Sequence, residues 1–149
     1  MRAVVQRVLN AEVKVDNEVI GSIDEGLCVL LGVGEKDTKK DADYLIDKII
    51  NLRVFDDEDG KMNLSAKDLN KEIMVVSQFT LYGDCRSGRR PGYSEAASPE
   101  KAENLYKYFI NKVKETELNI AQGEFKAYMN LSLNNDGPVT LLIDSKKEF

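Results

Sequence analysis

The sequence has no histidine among its 149 residues. This absence excludes serine–histidine–aspartate and cysteine–histidine catalysis, and it removes the side chain that most often acts as a general base near neutral pH. The only two cysteines, Cys28 and Cys85, stand far apart in the chain, whereas a structural zinc site needs four clustered ligands. We therefore expect no metal and no cofactor, and any hydrolysis here has to proceed without imidazole.

The chain also lacks a segment typical of membrane-spanning or secreted proteins. No run approaches the roughly 20 apolar residues that cross a bilayer, and Arg7 and Asn10 interrupt the apolar N-terminus too early for a secretory signal. Cys28 lies in an apolar run that is typical of a core strand, and Cys85 lies in a polar loop. Two isolated cysteines of this kind indicate a reduced protein, so we expect a cytoplasmic location without membrane contact.

Positive charge is scarce, since 21 lysines and arginines face 26 acidic residues and the net charge is −5. Proteins that bind many phosphates are usually basic or carry a basic stripe. The one dense basic cluster, Arg86, Arg89 and Arg90, is either a solvated loop or a short phosphate-facing segment. Any contact with nucleic acid is therefore expected to be small. The acidic run at residues 56–60 lacks the spaced ligands of a calcium loop and predicts a solvated turn.

The periodicity of apolar residues predicts one domain, residues 1–149, with many strands and two main helices. Apolar residues at helical spacing occur in 42–50, and again in a segment that opens with a capping serine and a proline, Ser98-Pro99, and continues to Val113. The predicted strands are 1–9, a hairpin of 13–16 and 19–23, then 27–33, 73–81, 125–133 and 139–143. This pattern predicts an α+β fold built on a curved, mainly antiparallel sheet or barrel.

Two short strings carry the strongest chemical signal. SQFTL at residues 77–81 ends a buried strand, where small polar side chains and backbone N–H groups can converge on a ligand. NNDGPVT at residues 134–140 stands between two apolar segments. Glycine tolerates backbone angles that other residues avoid, proline fixes φ, and the bond before proline accepts the cis form readily. The second string predicts a rigid backbone wedge at Gly137–Pro138, followed by the hydroxyl of Thr140.

Together these strings resemble the signatures SQ-x-T-L and N-x-G-P-V-T of the D-aminoacyl-tRNA deacylase family, and the likeness runs from MRAVVQRV at 1–8 to LLID at 141–144. The resemblance implies hydrolysis of the ester of D-aminoacyl-tRNA, and of glycyl-tRNA mischarged on the alanine tRNA, as chiral proofreading in translation. It implies a homodimer with active sites at the interface, where a cis Gly137–Pro138 bond lies near 77–80 of the other subunit. The implied catalytic residues are Ser77, Gln78, Phe79, Thr80 and Thr140, and the implied substrate-binding residues are Asn135, Gly137, Pro138, Met129 and Arg86.

Several alternatives stay open at the level of the sequence. Thr80 or Thr140 is a candidate nucleophile, but an unassisted hydroxyl is weak at neutral pH, and hydrolysis assisted by the substrate's own ribose hydroxyl is the favoured interpretation. A related deacylase with a trans Gly-Pro bond and a non-catalytic RNA-binding dimer are the competing functions. The chain also departs from the family's G-x-F-G-A-x-M, because it has Lys126 and Tyr128 in GEFKAYM. This departure concerns the wall beside the adenosine pocket.

Overall fold

The computed structural model describes all 149 residues as two helices and a strongly curved sheet. The strands are Arg2–Val15 (β1), Glu18–Ile23 (β2), Gly26–Gly32 (β3), Phe55–Asp56 (β4), Met62–Leu64 (β5), Glu72–Ser77 (β6), Ile120–Gln122 (β7) and Asn130–Asp144 (β8). The helices are Lys39–Ile50 (α1) and Pro99–Lys114 (α2), and a 3-10 turn spans Phe79–Tyr82. No helix of the chain has both the length and the apolar character that crossing a membrane requires.

The long strand β1 organises the sheet. Strand β8 pairs with it antiparallel along nearly its whole length, while β3 and then β2 pair antiparallel with its other edge. Strands β6 and β7 continue the sheet from β3 in parallel. The sheet curls so far that a Cβ atom on Gly21 of β2 would lie 2.9 Å from the carbonyl oxygen of Gln122 in β7. The predicted α+β class and the curved, mainly antiparallel sheet are confirmed, with two parallel pairings added.

Both faces of the central strands are buried, which explains their continuous apolar runs. In β3, Leu27, Val29 and Leu31 face α1 and α2 within a core of 24 buried residues, whereas Cys28 faces a second core of 7 residues inside the curve of the sheet. Helix α2 begins where its capping residue predicts, whereas α1 begins at Lys39, before the predicted segment 42–50. Pro99 follows the capping Ser98, whose Oγ accepts the Lys101 N–H at 3.5 Å.

Three predicted strand boundaries are wrong, each because pairing partners decide where a strand ends. Segments 1–9 and 13–16 form one strand, since β8 pairs with β1 from Arg2 to Lys14. The strand predicted at 73–81 ends at Ser77, and the 3-10 turn follows from Phe79. The two closing strands predicted at 125–133 and 139–143 are the single strand β8, and residues 125–129 precede it as a turn and loop.

Candidate active site

A cavity of about 530 Å³ opens at the carboxyl end of β6, where that strand gives way to the 3-10 turn. Four of the predicted site residues line it: Ser77, Gln78, Phe79 and Met129. The rest of the wall is mainly apolar and comes from β3, the start of α2 and the loop before β8: Leu31, Val33, Val76, Ala96, Ala97, Pro99, Ala102, Tyr106, Phe125, Lys126, Ala127, Tyr128 and Leu131. A mostly apolar cavity with a few convergent polar groups is the usual form of a small-ligand site.

The polar groups at the carboxyl end of β6 come from the SQFTL string. The N–H of Gln78 donates to the Leu31 carbonyl at 2.8 Å, and its side-chain amide donates to the Thr80 hydroxyl. The turn uses the N–H of Leu81 internally, with the Gln78 carbonyl as acceptor. The N–H groups of Phe79 and Thr80 open the turn, so no carbonyl within it is in position to accept from them. These two donors are therefore the backbone groups that can face a ligand.

Tyr106 of α2 closes the base of the cavity and was not among the predicted residues. Its hydroxyl donates to the Val75 carbonyl at 2.8 Å, and burial raises its pKa to about 12. The group therefore stays protonated and serves as a fixed donor. The apolar stripe of α2 predicted Tyr106 as a core residue, and that assignment is correct, but periodicity alone does not indicate which core residues border a cavity.

A network of charged and polar side chains contacts the 3-10 turn on the side away from this cavity. The Tyr82 hydroxyl donates to Oδ2 of the buried Asp37 at 3.0 Å, and burial, with the nearby Asp37 carboxylate, raises the Tyr82 pKa well above its usual range. The guanidinium of Arg2 donates to the Leu81 carbonyl at 3.2 Å and lies 4.6 Å from the centroid of the Tyr82 ring. Sequence patterns do not reveal this network, because its members come from three distant segments.

The Gly137–Pro138 wedge is a protrusion within β8. Val8 pairs with Asn135 and Gln6 pairs with Thr140, so the four residues 136–139 stand opposite the single residue Arg7. Gly137 has φ of +115°, a conformation that favours glycine, and the Gly137–Pro138 bond is cis, as the resemblance predicted. An insertion of this size bends the strand and pushes residues out of the ladder.

Side chains on both strands hold the base of this protrusion. The Asn135 amide donates to the Arg7 and Val139 carbonyls at 2.9 and 3.0 Å. The Thr140 hydroxyl donates to the Asn135 side-chain oxygen and accepts from the Gln6 amide, both at 3.3 Å. Neither Thr140 nor Thr80 has a hydrogen bond to a side chain that can act as a base.

Arg7 is a further site residue that the sequence analysis did not select. It is 8 % exposed, its Nε lies 2.8 Å from the Asp136 carboxylate, and its Nη1 donates to the Val54 carbonyl at 2.6 Å. The guanidinium thereby ties the protrusion to the loop that follows α1. The available signal was a charge within the apolar β1 segment, since a buried arginine is almost always paired.

The structure brings together only part of the predicted site. Asn135, Gly137, Pro138 and Thr140 do not line the cavity that Ser77, Gln78, Phe79 and Met129 share, and Thr80 lies outside its lining as well. Phe79 is 59 % exposed and contacts Tyr93 edge-on at a centroid distance of 5.0 Å. The two strings thus form two separate surfaces of one chain.

Arg86 lies elsewhere, beside a polar cavity of about 800 Å³ on the other side of the 3-10 turn. Its Nε and Nη2 each lie 2.8 Å from an oxygen of Asp84, and Arg86 holds the pKa of that carboxyl below its usual range. Nowhere in the chain do three histidine, cysteine or acidic side chains cluster as they would around a metal ion. Burial raises the pKa of the Cys28 thiol to about 12.

The chain is similar to known proteins along nearly its whole length. The family model described as D-Tyr-tRNA(Tyr) deacylase matches residues 4–144. Curated relatives described as D-aminoacyl-tRNA deacylase include those of Thermosipho melanesiensis, 63 % identical over 150 residues, and Clostridioides difficile, 58 % identical over 149, each covering both chains fully. A solved c-Myc DNA unwinding element binding protein superimposes with a TM-score of 0.91 at 44 % identity, covering 97 % of this chain and 98 % of its own.

A solved structure titled as a probable eukaryotic D-amino acid tRNA deacylase shares the fold alone, with a TM-score of 0.84 at 16 % identity over 96 % of this chain and 98 % of its own. The matches identify the chain as an enzyme of the hydrolase class that acts on ester bonds. It belongs to the D-Tyr-tRNA(Tyr) deacylase family.

Proposed function

We propose that this protein hydrolyses the ester of D-aminoacyl-tRNA in the cytoplasm and releases the free D-amino acid and tRNA, as a chiral proofreading step in translation. The observation that carries this proposal is that one chain of the deacylase family has both an exposed Gly137–Pro138 wedge and a separate cavity lined by Ser77, Gln78 and Phe79. A family member that had lost catalysis would have no need to retain both surfaces.

The active unit in this proposal is a homodimer. Within one chain, the wedge does not line the cavity, and Pro138 is exposed. Phe79 and Leu142 are also largely exposed, at 59 % and 64 %. A second copy related by a twofold axis would cover these apolar side chains and place its wedge at the cavity of the first, and the same contact would repeat in reverse. Each active site then contains parts of both chains.

This arrangement accounts for selectivity between enantiomers. An enzyme that accepts many D side chains cannot grip the side chain, so it has to exclude the L form by leaving no space for it. The Gly137–Pro138 backbone, tied down through Asn135 and Arg7, provides such a rigid obstacle. Glycine has no side chain to exclude, so glycyl-tRNA mischarged on the alanine tRNA is a second substrate in this proposal.

For the reaction, we favour water as the nucleophile with assistance from the ribose hydroxyl beside the ester. Neither Thr80 nor Thr140 contacts a base, and a hydroxyl needs one to attack at neutral pH. The N–H groups of Phe79 and Thr80 are the donors for the developing oxyanion, and one well-placed donor contributes about 3–4 kcal/mol to transition-state stabilisation. Ser77 and Gln78 orient the turn and the substrate, while Met129 packs beside the terminal nucleoside.

In this proposal, the loop after the 3-10 turn contacts the tRNA backbone. Because Asp84 neutralises Arg86, the proposal assigns phosphate binding mainly to Arg89 and Arg90, with Arg86 shaping the loop. A footprint of few charges is consistent with the net charge of −5.

The decisive experiment compares deacylation of matched D- and L-tyrosyl-tRNA by the purified protein, with glycyl-tRNA charged on the alanine tRNA as a third substrate. We expect rapid release of D-tyrosine and glycine and an intact L ester. Equal rates for both enantiomers would refute the chiral role, and binding without turnover would favour a non-catalytic RNA-binding dimer.

A mixing experiment tests the shared site. Gln78→Ala damages the cavity and Pro138→Gly damages the wedge, so each homodimer should be impaired. After subunit exchange, half of the dimers are mixed and each contains one intact site, so about a quarter of wild-type activity should return. If each site belonged to one chain, the mixture would remain as inactive as its components.

A modified substrate tests the mechanism without altering the protein. A tRNA that ends in 2′-deoxyadenosine and is charged on the 3′ oxygen should be hydrolysed far more slowly than the ribose form. Thr80→Ala and Thr140→Ala should both retain measurable turnover, whereas loss of a true nucleophile lowers kcat by orders of magnitude. Cleavage of the deoxy ester at the normal rate would restore Thr80 as the leading nucleophile.

A further inference from the structure

The loop before β8 forms one rim of the cavity, and two of its side chains point outward. Phe125, Ala127 and Met129 are partly buried, whereas Lys126 and Tyr128 between them are exposed, yet all five line the cavity. The Ala127 N–H donates to the Glu124 carbonyl at 3.3 Å and closes the turn that sets this alternation. Lys126 and Tyr128 therefore stand together at the mouth, and we refer to this pair as the lip.

Lys126 adopts a backbone conformation that a lysine rarely takes. Its φ is +66°, in the left-handed region where glycine is accommodated without steric cost and other residues are uncommon. Its ammonium forms no ion pair, since the nearby Glu103, whose pKa is lowered mainly by Lys107, is paired with that residue at 2.8 Å. A cation without an ion-pair partner at a cavity mouth is available to a phosphate group of a bound ligand.

Tyr128 is 95 % exposed, more than any other large apolar side chain of the chain. Both faces of its ring are free for a ligand, and aromatic rings at the edge of nucleotide sites bind bases by stacking. The adjoining surface is a shallow cavity of about 260 Å³ formed with Lys14, Asp16, Asn17 and Asn130. The ring thus separates the main cavity from an open polar surface along which a polynucleotide can continue.

We propose that the lip binds the nucleotide preceding the terminal adenosine of the tRNA, with Tyr128 stacking on its base and Lys126 pairing with the phosphate that joins the two. This inference rests on the proposed function. A volume of about 530 Å³ is within the range of a site for one small ligand, so the aminoacyl-adenosine fills it and the preceding nucleotide has to cross the rim. The 3′ end is single-stranded there, and its base is available for stacking.

Kinetics on two substrates separate the lip from the active site. We expect Tyr128→Ala to lower kcat/KM for D-tyrosyl-tRNA by about 5- to 150-fold, the range that base stacking provides. Because Tyr128 also lines the cavity, kcat/KM for D-tyrosyl-adenosine serves as the reference, and the ratio of the tRNA value to the adenosine value should fall. Tyr128→Phe keeps the ring and should behave as wild type. Wild-type protein that cleaves neither ester would count against the proposed function, whereas equal tRNA kinetics for wild type and Tyr128→Ala would overturn the lip.

The dependence of kcat/KM on salt concentration tests the proposed phosphate contact of Lys126. Loss of one phosphate contact should reduce the slope of log kcat/KM against log salt by about 0.7 for a single strand. Lys147→Gly is the matched control, because Lys147 also has a left-handed φ, of +59°, and lies outside the cavity. Lys126→Gly should show this smaller slope while unfolding at an unchanged or higher temperature, and an unchanged slope would refute the phosphate contact. If Tyr128→Ala instead converts dimer to monomer in light scattering, Tyr128 belongs to the subunit interface and the proposal fails.

Discussion

Replacing Asp37 with asparagine tests whether a buried charge holds the 3-10 turn in place. Asp37 is 3 % exposed, and its Oδ1 lies 2.8 Å from the α-ammonium of Met1. Its Oδ2 accepts hydrogen bonds from the Tyr82 hydroxyl at 3.0 Å and the Gly34 N–H at 2.6 Å. Asparagine preserves the shape but removes the negative charge and one acceptor. The ammonium is then left buried without its counter-ion. Because Tyr82 and Gly34 both donate to Oδ2, the asparagine NH2 group faces either the ammonium or both of these donors.

The expected loss of stability is large. Removing one member of a buried ion pair costs about 3–5 kcal/mol. The Met1 ammonium keeps its hydrogen bond to the Ser145 hydroxyl, so we expect the lower end of that range. For a chain of this length about 3 kcal/mol lowers the melting temperature by roughly 6–12 °C. Turnover of D-aminoacyl-tRNA should fall as well, because Tyr82 belongs to the turn that presents Phe79 and Thr80.

Thermal and urea unfolding, followed by circular dichroism, measure this loss. Asp43→Asn is the matched control, since Asp43 also accepts a tyrosine hydroxyl, that of Tyr108 at 2.8 Å, but is exposed. Exposed substitutions of this type usually change stability by less than about 0.5 kcal/mol. If Asp37→Asn melts within the same narrow range as Asp43→Asn, the ion pair does not hold the turn and the reasoning is refuted.

Four further outcomes are expected. Burial raises the pKa of Cys28 to about 12, so a thiol reagent at pH 8 should label Cys85 alone in the folded protein and both cysteines after unfolding; two labels on folded protein would contradict the core assignment. Burial alone would raise the pKa of Asp41, but hydrogen bonds from an ammonium and two hydroxyl groups hold it below its usual range. The contribution of Asp41 to folding stability is therefore present above the pKa of an unfolded aspartate, about 3.9, and is lost as pH falls below that value. Asp41→Asn should flatten this part of the plot of unfolding free energy against pH, measured by urea unfolding. Gly137→Ala should destabilise more than Gly60→Ala in thermal unfolding, because both have positive φ but only at Gly137 does a Cβ meet a neighbour, the Val139 Cγ2 at 2.8 Å. Turnover should survive a chelator, since the chain has no histidine, and loss reversed by one divalent ion would disprove this.

The sequence was sufficient for the elements with strong local patterns. The helix at Ser98-Pro99 begins where local chemistry predicts it, and the buried strand predicted at 27–33 occurs at 26–32. The predicted hairpin also forms, with its turn at residues 16–17 and not at the expected 17–18. The course of β8 was not predictable in this way, since the string at 134–140 resembles a chain break. Pairing with β1 on both sides keeps the strand continuous through four protruding residues. Only a non-local partner determines that outcome.

The candidate site was also predictable only where local patterns identify its residues. Local strings identified Ser77, Gln78 and Phe79, which do line the cavity, because a strand end with short polar side chains is recognisable from the sequence. Arg7, Tyr106 and Asp37 were not selected, since each acts through a partner distant in the chain. The Asp37 hydrogen bond to Tyr82 and the Arg7 ion pair with Asp136 span 45 and 129 positions (136 − 7). Sequence spacing contains no information about such pairs.

The acidity of the chain and its small cavity favour the same mode of RNA binding. With a net charge of −5, the protein cannot gain much from general attraction to phosphates, so affinity has to come from a few placed contacts. Lys126 and Tyr128, the latter exposed to 95 %, both line the cavity at the rim that the proposed substrate has to cross. Selectivity for the acyl group would then reside in the wedge, while recognition of the attached RNA would reside in the lip. Substitutions at the lip should therefore weaken tRNA binding and leave the ratio of D to L hydrolysis unchanged.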